Sequence, residues 1–134
     1  MKTFAPDSKM FTFGGVFYPT GHVFVMFPSA DDALDAAKKL INAGYDGGSL
    51  CLLTPKDIHD KVAATALHEE GLPSPGTEGE TARHYEELAR EGHHALLIPA
   101  RSAKDTERVM QALKDTKISY AQKYRHFVIE DLVV

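Results

Sequence analysis

Apolar and polar positions along the chain fall into two repeating frames. "GHVFVMFP" (21–28) and "GHHALLIP" (92–99) each read glycine, histidine, a continuous apolar run, then proline. Short apolar runs bounded by Gly and Pro predict strands. Each run leads into a stretch with apolar residues at helical spacing, "SADDALDAAKKL" (29–40) and "SAKDTERVMQAL" (102–113). The strands align at an offset of 71 and the helices at 73, with a two-residue insertion near Ala100 and Arg101. In the first helix Ala33, Ala36, Ala37, Leu40 and Ile41 form the inward stripe; in the second Val109, Met110 and Leu113 do. Ser29 and Ser102 are placed to cap the helices, with Asp32 and Asp105 at the third helical position, near the positive helix end. Gly44 is a natural stop for the first helix.

Closing strands are predicted in "GGSLCLLT" (47–54) and "ISYAQKYRHFVIEDL" (118–132). Two strand–helix–strand units without a Rossmann-type glycine loop predict an α+β, ferredoxin-like split βαβ sandwich, both helices on one face of an antiparallel sheet. The chain reads as one domain over 1–134: repeat one 21–54, a helical insertion 55–91, repeat two 92–132. An extra strand is expected over 10–21, and residues 1–9 are expected to be loose. The insertion opens with Thr54 as a cap, Pro55 at the first helical position and Asp57 three residues after the cap, predicting a helix over 54–70 with Ile58, Val62 and Ala66 inward. A loop rich in Pro and Gly follows (71–80). A short helix over 81–90 turns Tyr85, Leu88 and Ala89 inward, with Thr77 and Glu80 able to form a capping box ahead of it.

The strands do not alternate apolar with polar. Val23, Val25 and Phe27 oppose Phe24 and Met26; Leu50 and Leu52 oppose Cys51 and Leu53; Ala95 and Leu97 oppose Leu96 and Ile98; Phe127 and Ile129 oppose Val128. A sheet wet on one side would alternate. Both faces must therefore be covered, and the repeat helices reach one. The inserted helices, the N-terminal segment or a second subunit can supply the other cover. The insertion stripes are thin, so a homodimer is expected to contribute.

Composition changes this picture little: 43% apolar and 25% charged residues suit one globular domain, and the net charge of −4 comes without a basic cluster. Nucleic-acid binding is therefore disfavoured, and "KYRHFVIE" (123–130), which has a passing likeness to an RNA-binding strand, lacks the glycines of that motif. The start lacks the apolar core of a secretory leader, and no stretch reaches the length of a membrane span, so a cytoplasmic location is expected. Cys51 stands alone, inside an apolar run, and reads as a small core residue.

The adjacent pair His93-His94 invites a metal or acid–base reading. Neighbouring strand residues face opposite ways, so the two side chains cannot readily share one ion. The simpler reading is a polar strand entrance, with a ring bonded to a backbone carbonyl. A histidine pocket would need partners such as His22, His84 or Tyr85. His59 and His68 fall on opposite faces of their helix and read as solvated, and Glu86 with Arg90 reads as a surface i,i+4 pair. "QKYRHFVIEDL" (122–132) gathers Tyr124, Arg125, His126, Glu130 and Asp131, either as an anion or dimer contact or as a charged edge strand that resists aggregation. The ligand-binding candidates are thus His22, Tyr85, His93, His94, Tyr124, Arg125 and Glu130. No catalytic residue, metal or cofactor is indicated.

Three segments together resemble the bacterial general stress, or heat-induced stress, protein family: "FPSADDALDAAKKLINAGYDGGSLCLLTP" (27–55), "TARHYEELAREGHHALLIPA" (81–100) and "YRHFVIEDL" (124–132). The resemblance implies a small cytoplasmic α/β protein linked to stress, without an established reaction and without catalytic residues to carry over. Gly92-His93-His94 departs from it, since a plainer glycine–apolar junction is expected there. The expected function is a non-enzymatic, dimeric module that binds a protein partner or small ligand at the sheet edge or the insertion. The alternative is an enzyme or ligand sensor with a histidine pocket, and RNA binding comes third.

Overall fold

The structure, a computed structural model, describes residues 2–3, 20–63, 77–125 and 128–132, with side chains described over 20–60, 83–124 and at 132. Six strands form one sheet: β1 (Lys2–Thr3), β2 (His22–Phe27), β3 (Cys51–Leu53), β4 (His94–Pro99), β5 (Tyr120–Arg125) and β6 (Val128–Asp131). Their order across the sheet is β1-β3-β4-β2-β5-β6. β1 lies parallel to β3, and every other neighbouring pair is antiparallel. The helices are α1 (Ala30–Asn42), α2 (Pro55–Asp57), α3 (Thr77–Arg90) and α4 (Ala103–Ala112). α2 runs on in π geometry over Ile58–Ala63. This is an α+β fold, compatible with a ferredoxin-like arrangement. No helix among the described residues is long and apolar enough to cross a membrane.

Local chemistry explains where the repeated elements begin. Ser29 and Ser102 accept from the backbone N–H of Asp32 and Asp105, each at about 3 Å, and so satisfy one orphan donor of α1 and of α4. Thr54 and Asp57 form a reciprocal capping box at α2. The glycines ahead of the two central strands, Gly21 and Gly92, have φ of +80° and +89°. A side chain at either position would be strained, which accounts for the glycine shared by the two frames.

The central strands β2 and β4 are buried on both faces. On one, Val23, Val25, Phe27, Leu96 and Ile98 pack with Ala33, Ala36 and Leu40 of α1 and with Val109 and Leu113, contributed by α4 and its C-cap. On the other, Phe24, Met26, Cys51, Leu53, Ala95 and Leu97 pack with Ile58 of the π segment and Tyr85 and Ala89 of α3. Phe24, Met26 and Leu96 are wholly buried and Leu97 is 2% exposed. The insertion thus covers the face to which a second subunit was expected to contribute. Tyr85 makes the difference: stacked on Phe24 at 4.3 Å, one ring covers area that several aliphatic residues would otherwise have to fill. No described sheet face lies bare for base stacking.

Other expectations need correction. Residues 2–3, expected to be loose, pair with Cys51 and Leu52. The closing stretch 118–132 is two antiparallel strands, not one, because Gln122 to Arg125 pair back onto Val128 to Asp131. β6 is then one edge of the described sheet, with β1 at the other. The loop expected over 71–80 gives way to helix at Thr77. Ile41, expected in the α1 stripe, is 45% exposed and lies with exposed Leu34 on the helix flank, since Ala33, Ala36, Ala37 and Leu40 already fill the inward arc. The expected strand over residues 10–19, the helix over 64–70, the loop over 71–76 and residues His126 and Phe127 lie outside the described residues. So do the side chains of Val62, Thr77, Glu80, Arg125 and Glu130.

Candidate functional site

The two central strands set the positions of the histidines. β2 and β4 are antiparallel, with His22 opposite Pro99 and Phe27 opposite His94. His22 therefore lies five residues along the ladder from the His94 end, about 17 Å at the strand rise. His22 and the His93-His94 pair occupy opposite ends of the sheet and do not form one site. Each is held locally. His22 donates from Nδ1 to the Thr20 carbonyl and His94 from Nδ1 to the Gly92 carbonyl, both at 3.1 Å. His93 Nδ1 lies 2.8 Å from Ser119 Oγ. These are polar strand entrances with rings bonded to nearby groups.

Tyr85 and Tyr124, by contrast, do come together. Their hydroxyls are 2.6 Å apart, and Tyr85 donates to Gln122 Oε1 at 2.8 Å, so Tyr124 donates to Tyr85. Gln122 in turn donates to the Tyr120 hydroxyl at 2.7 Å. His84 stacks on Tyr120 at 4.1 Å. His22 sits directly across from Tyr124 in the β2–β5 ladder. Both tyrosines are 1% exposed, and Gln122 is buried too. This cluster joins α3 to the sheet as a satisfied internal network rather than as an open pocket. Of the candidate residues with described side chains, His22, Tyr85 and Tyr124 thus share a neighbourhood, and His93 and His94 stand apart from it.

An open cavity lies at the end of the sheet where β4 and β5 finish and α4 begins. It measures about 600 Å³. Thr20, Arg101, Ser102, Thr106 and Lys123 give it a polar wall; Met110 and Leu132 give it an apolar one, and Tyr124 borders it. Lys123 is 5% exposed although it is a lysine in mid-strand. Its ammonium donates to the Ala100 carbonyl and, at 2.8 Å, to Thr106 Oγ1. Lysine is almost never fully buried unless it has partners, and here the sheet and the first turns of α4 supply them. Gly21 borders the cavity, and its positive φ keeps that position free of a side chain.

A second feature went unseen in the sequence. Glu86, read as an exposed partner of Arg90, is 8% exposed. Its carboxylate accepts from His59 Nδ1 at 2.7 and 2.8 Å through its two oxygens, and Arg90 Nε lies 3.5 Å away. The π segment brings His59 there; the imidazole is 57% exposed, as a solvated reading expects, and also bonds a residue 27 positions along the chain. The pair borders a cleft of about 380 Å³ with Pro55 and Ala89. Among the described residues no group of three metal-ligating side chains comes together.

The sequence pointed to histidines and to the charged residues of 122–132. It missed Arg101, Ser102, Thr106 and Lys123. A signal was present: Lys123 alternates with Gln122 and Tyr124 in a strand beside β2, which is apolar on both faces, so polar residues of β5 had to turn inward. No family model, curated protein or solved structure matches the chain.

Proposed function

We propose that this chain is a non-enzymatic binding module built on a ferredoxin-like split βαβ sandwich, and that it takes a small molecule in the cavity beside Lys123. The fold reading is supported by strand order. β3 and β2 both run antiparallel to β4, which lies between them, and β4 and β5 both run antiparallel to β2. Each repeat is then a βαβ unit split by a strand of the other. The function rests on one observation, the cavity of about 600 Å³, which falls in the range of about 300–1,000 Å³ typical of small-molecule sites and combines an apolar wall with converging polar groups. A stress-associated role is the part of the reading that rests on the resemblance of residues 27–55, 81–100 and 124–132.

Amide chemical shifts recorded against a library of small organic fragments test the binding reading. Perturbations are expected to gather at Thr20, Gly21, Arg101 to Thr106, Lys123 and Leu132. Perturbations gathered elsewhere, or none at millimolar fragment, would reject it.

The His59–Glu86 pair favours a second reading, a site centred on a histidine near the insertion. A buried carboxylate on Nδ1 leaves Nε2 as the group turned to other partners, as in acid–base sites. Shifts centred on His59 and Arg90 in the same experiment would select this reading.

A further inference from the structure

We infer that the cavity beside Lys123 prefers an amphipathic anion, a carboxylate or phosphate head on a short apolar body. This deepens the binding reading and rests on it. Among the described side chains, two cationic ones, Arg101 and Lys123, line the cavity against one carboxylate, Glu107. The Arg101 guanidinium has no hydrogen-bond or ion-pair partner among the described residues, so its planar set of donors is available to a bidentate head group. Arg101 stands at the rim and is exposed, whereas Lys123 is fixed in the wall by Ala100 and Thr106. A head group at the rim reaches arginine first and feels lysine from below. The N–H groups of the first turn of α4 add to the same sign, but the side chains carry the preference.

The apolar half follows from the other wall. Met110 is a flexible thioether that adapts to irregular shapes, and with Leu132 it makes a surface that bare inorganic phosphate would leave uncovered. A ligand with a charged head alone forgoes the apolar contact. One with an apolar tail alone forgoes Arg101. A hydrogen bond to a charged group is among the stronger ones, so the head should be worth tenfold or more in affinity.

Heptanoate, 1-heptanol, heptylammonium and inorganic phosphate, titrated separately and followed by amide shifts, test this directly. Heptanoate is expected to bind about tenfold or more tightly than heptanol, and heptylammonium and phosphate more weakly than heptanoate. Arg101→Gln, at an exposed position, should erase the advantage of heptanoate over heptanol, and Glu107→Gln should enlarge it. Heptanol binding as well as heptanoate, or heptylammonium binding better, would overturn the anionic class while the cavity still binds ligand. Phosphate binding as tightly as heptanoate would overturn the amphipathic requirement. Silence from all four would overturn this inference and the binding reading with it.

Discussion

Glu86 shows how far a residue's role depends on partners remote in sequence. Locally it is a helix-surface carboxylate four residues before Arg90, a pairing worth a few tenths of a kcal/mol. In the fold it is nearly enclosed, and His59 supplies its short hydrogen bonds. Removing the imidazole leaves a buried carboxylate with Arg90 at 3.5 Å as its remaining described ion-pair partner. His59→Ala is therefore expected to cost about 1–3 kcal/mol in urea unfolding, the penalty for stranding a buried polar group. His59→Gln, which keeps a donor, should cost less. Equal losses would mean that packing, rather than the hydrogen bond, is what His59 contributes.

Among the elements, α1 and α4 are joined at one corner by Tyr45. This residue lies just beyond α1 and donates its hydroxyl to the Asp105 carbonyl in the first turn of α4 at 3.2 Å. The Arg108 guanidinium lies over its ring, 5.1 Å from the centre. Burial raises the Tyr45 pKa above the ordinary 10.0; Arg108 pulls it down and Asp105 adds to the rise. The folded chain thus holds this proton more tightly than the unfolded chain does. The stabilisation is complete below the unfolded value and is lost as pH climbs through the folded one. Tyr45→Phe should then lower stability at neutral pH and flatten the decline above pH 10. Urea midpoints measured on both sides of that value would show it, and an unchanged alkaline decline would sink the assignment. The insertion works as an element in a different way: Ile58, Tyr85 and Ala89 turn two modest helical segments into a lid for the second sheet face.

At the scale of the whole molecule, the described residues close both faces of the central sheet within one chain. A second subunit is not needed to cover the sheet, since α1 and α4 close one face and the insertion closes the other. Among the described side chains, the large apolar ones that are exposed are Leu34 and Ile41, which alone make no extended apolar patch. Light scattering at micromolar concentration is accordingly expected to report a monomer. A dimer would reinstate the pairing that the apolar strands first suggested and place it on another surface.

Two repeats, their capping serines, the strand-leading glycines and the need for a double-sided core were all legible in the residues, because each is a local matter of periodicity, φ or a bond three positions away. Ser29, Ser102 and Thr54 cap as their positions require. What covers the second face, which histidines meet, and that Lys123 and Glu86 are buried were settled by tertiary structure alone. His22 and His93 look equivalent in the repeat, yet antiparallel pairing sends them to opposite ends of the sheet. His59 and Glu86 look independent, yet the path of the insertion joins them. Spacing along a chain reports which residues share a face of one element; which faces meet depends on how the elements are folded against one another.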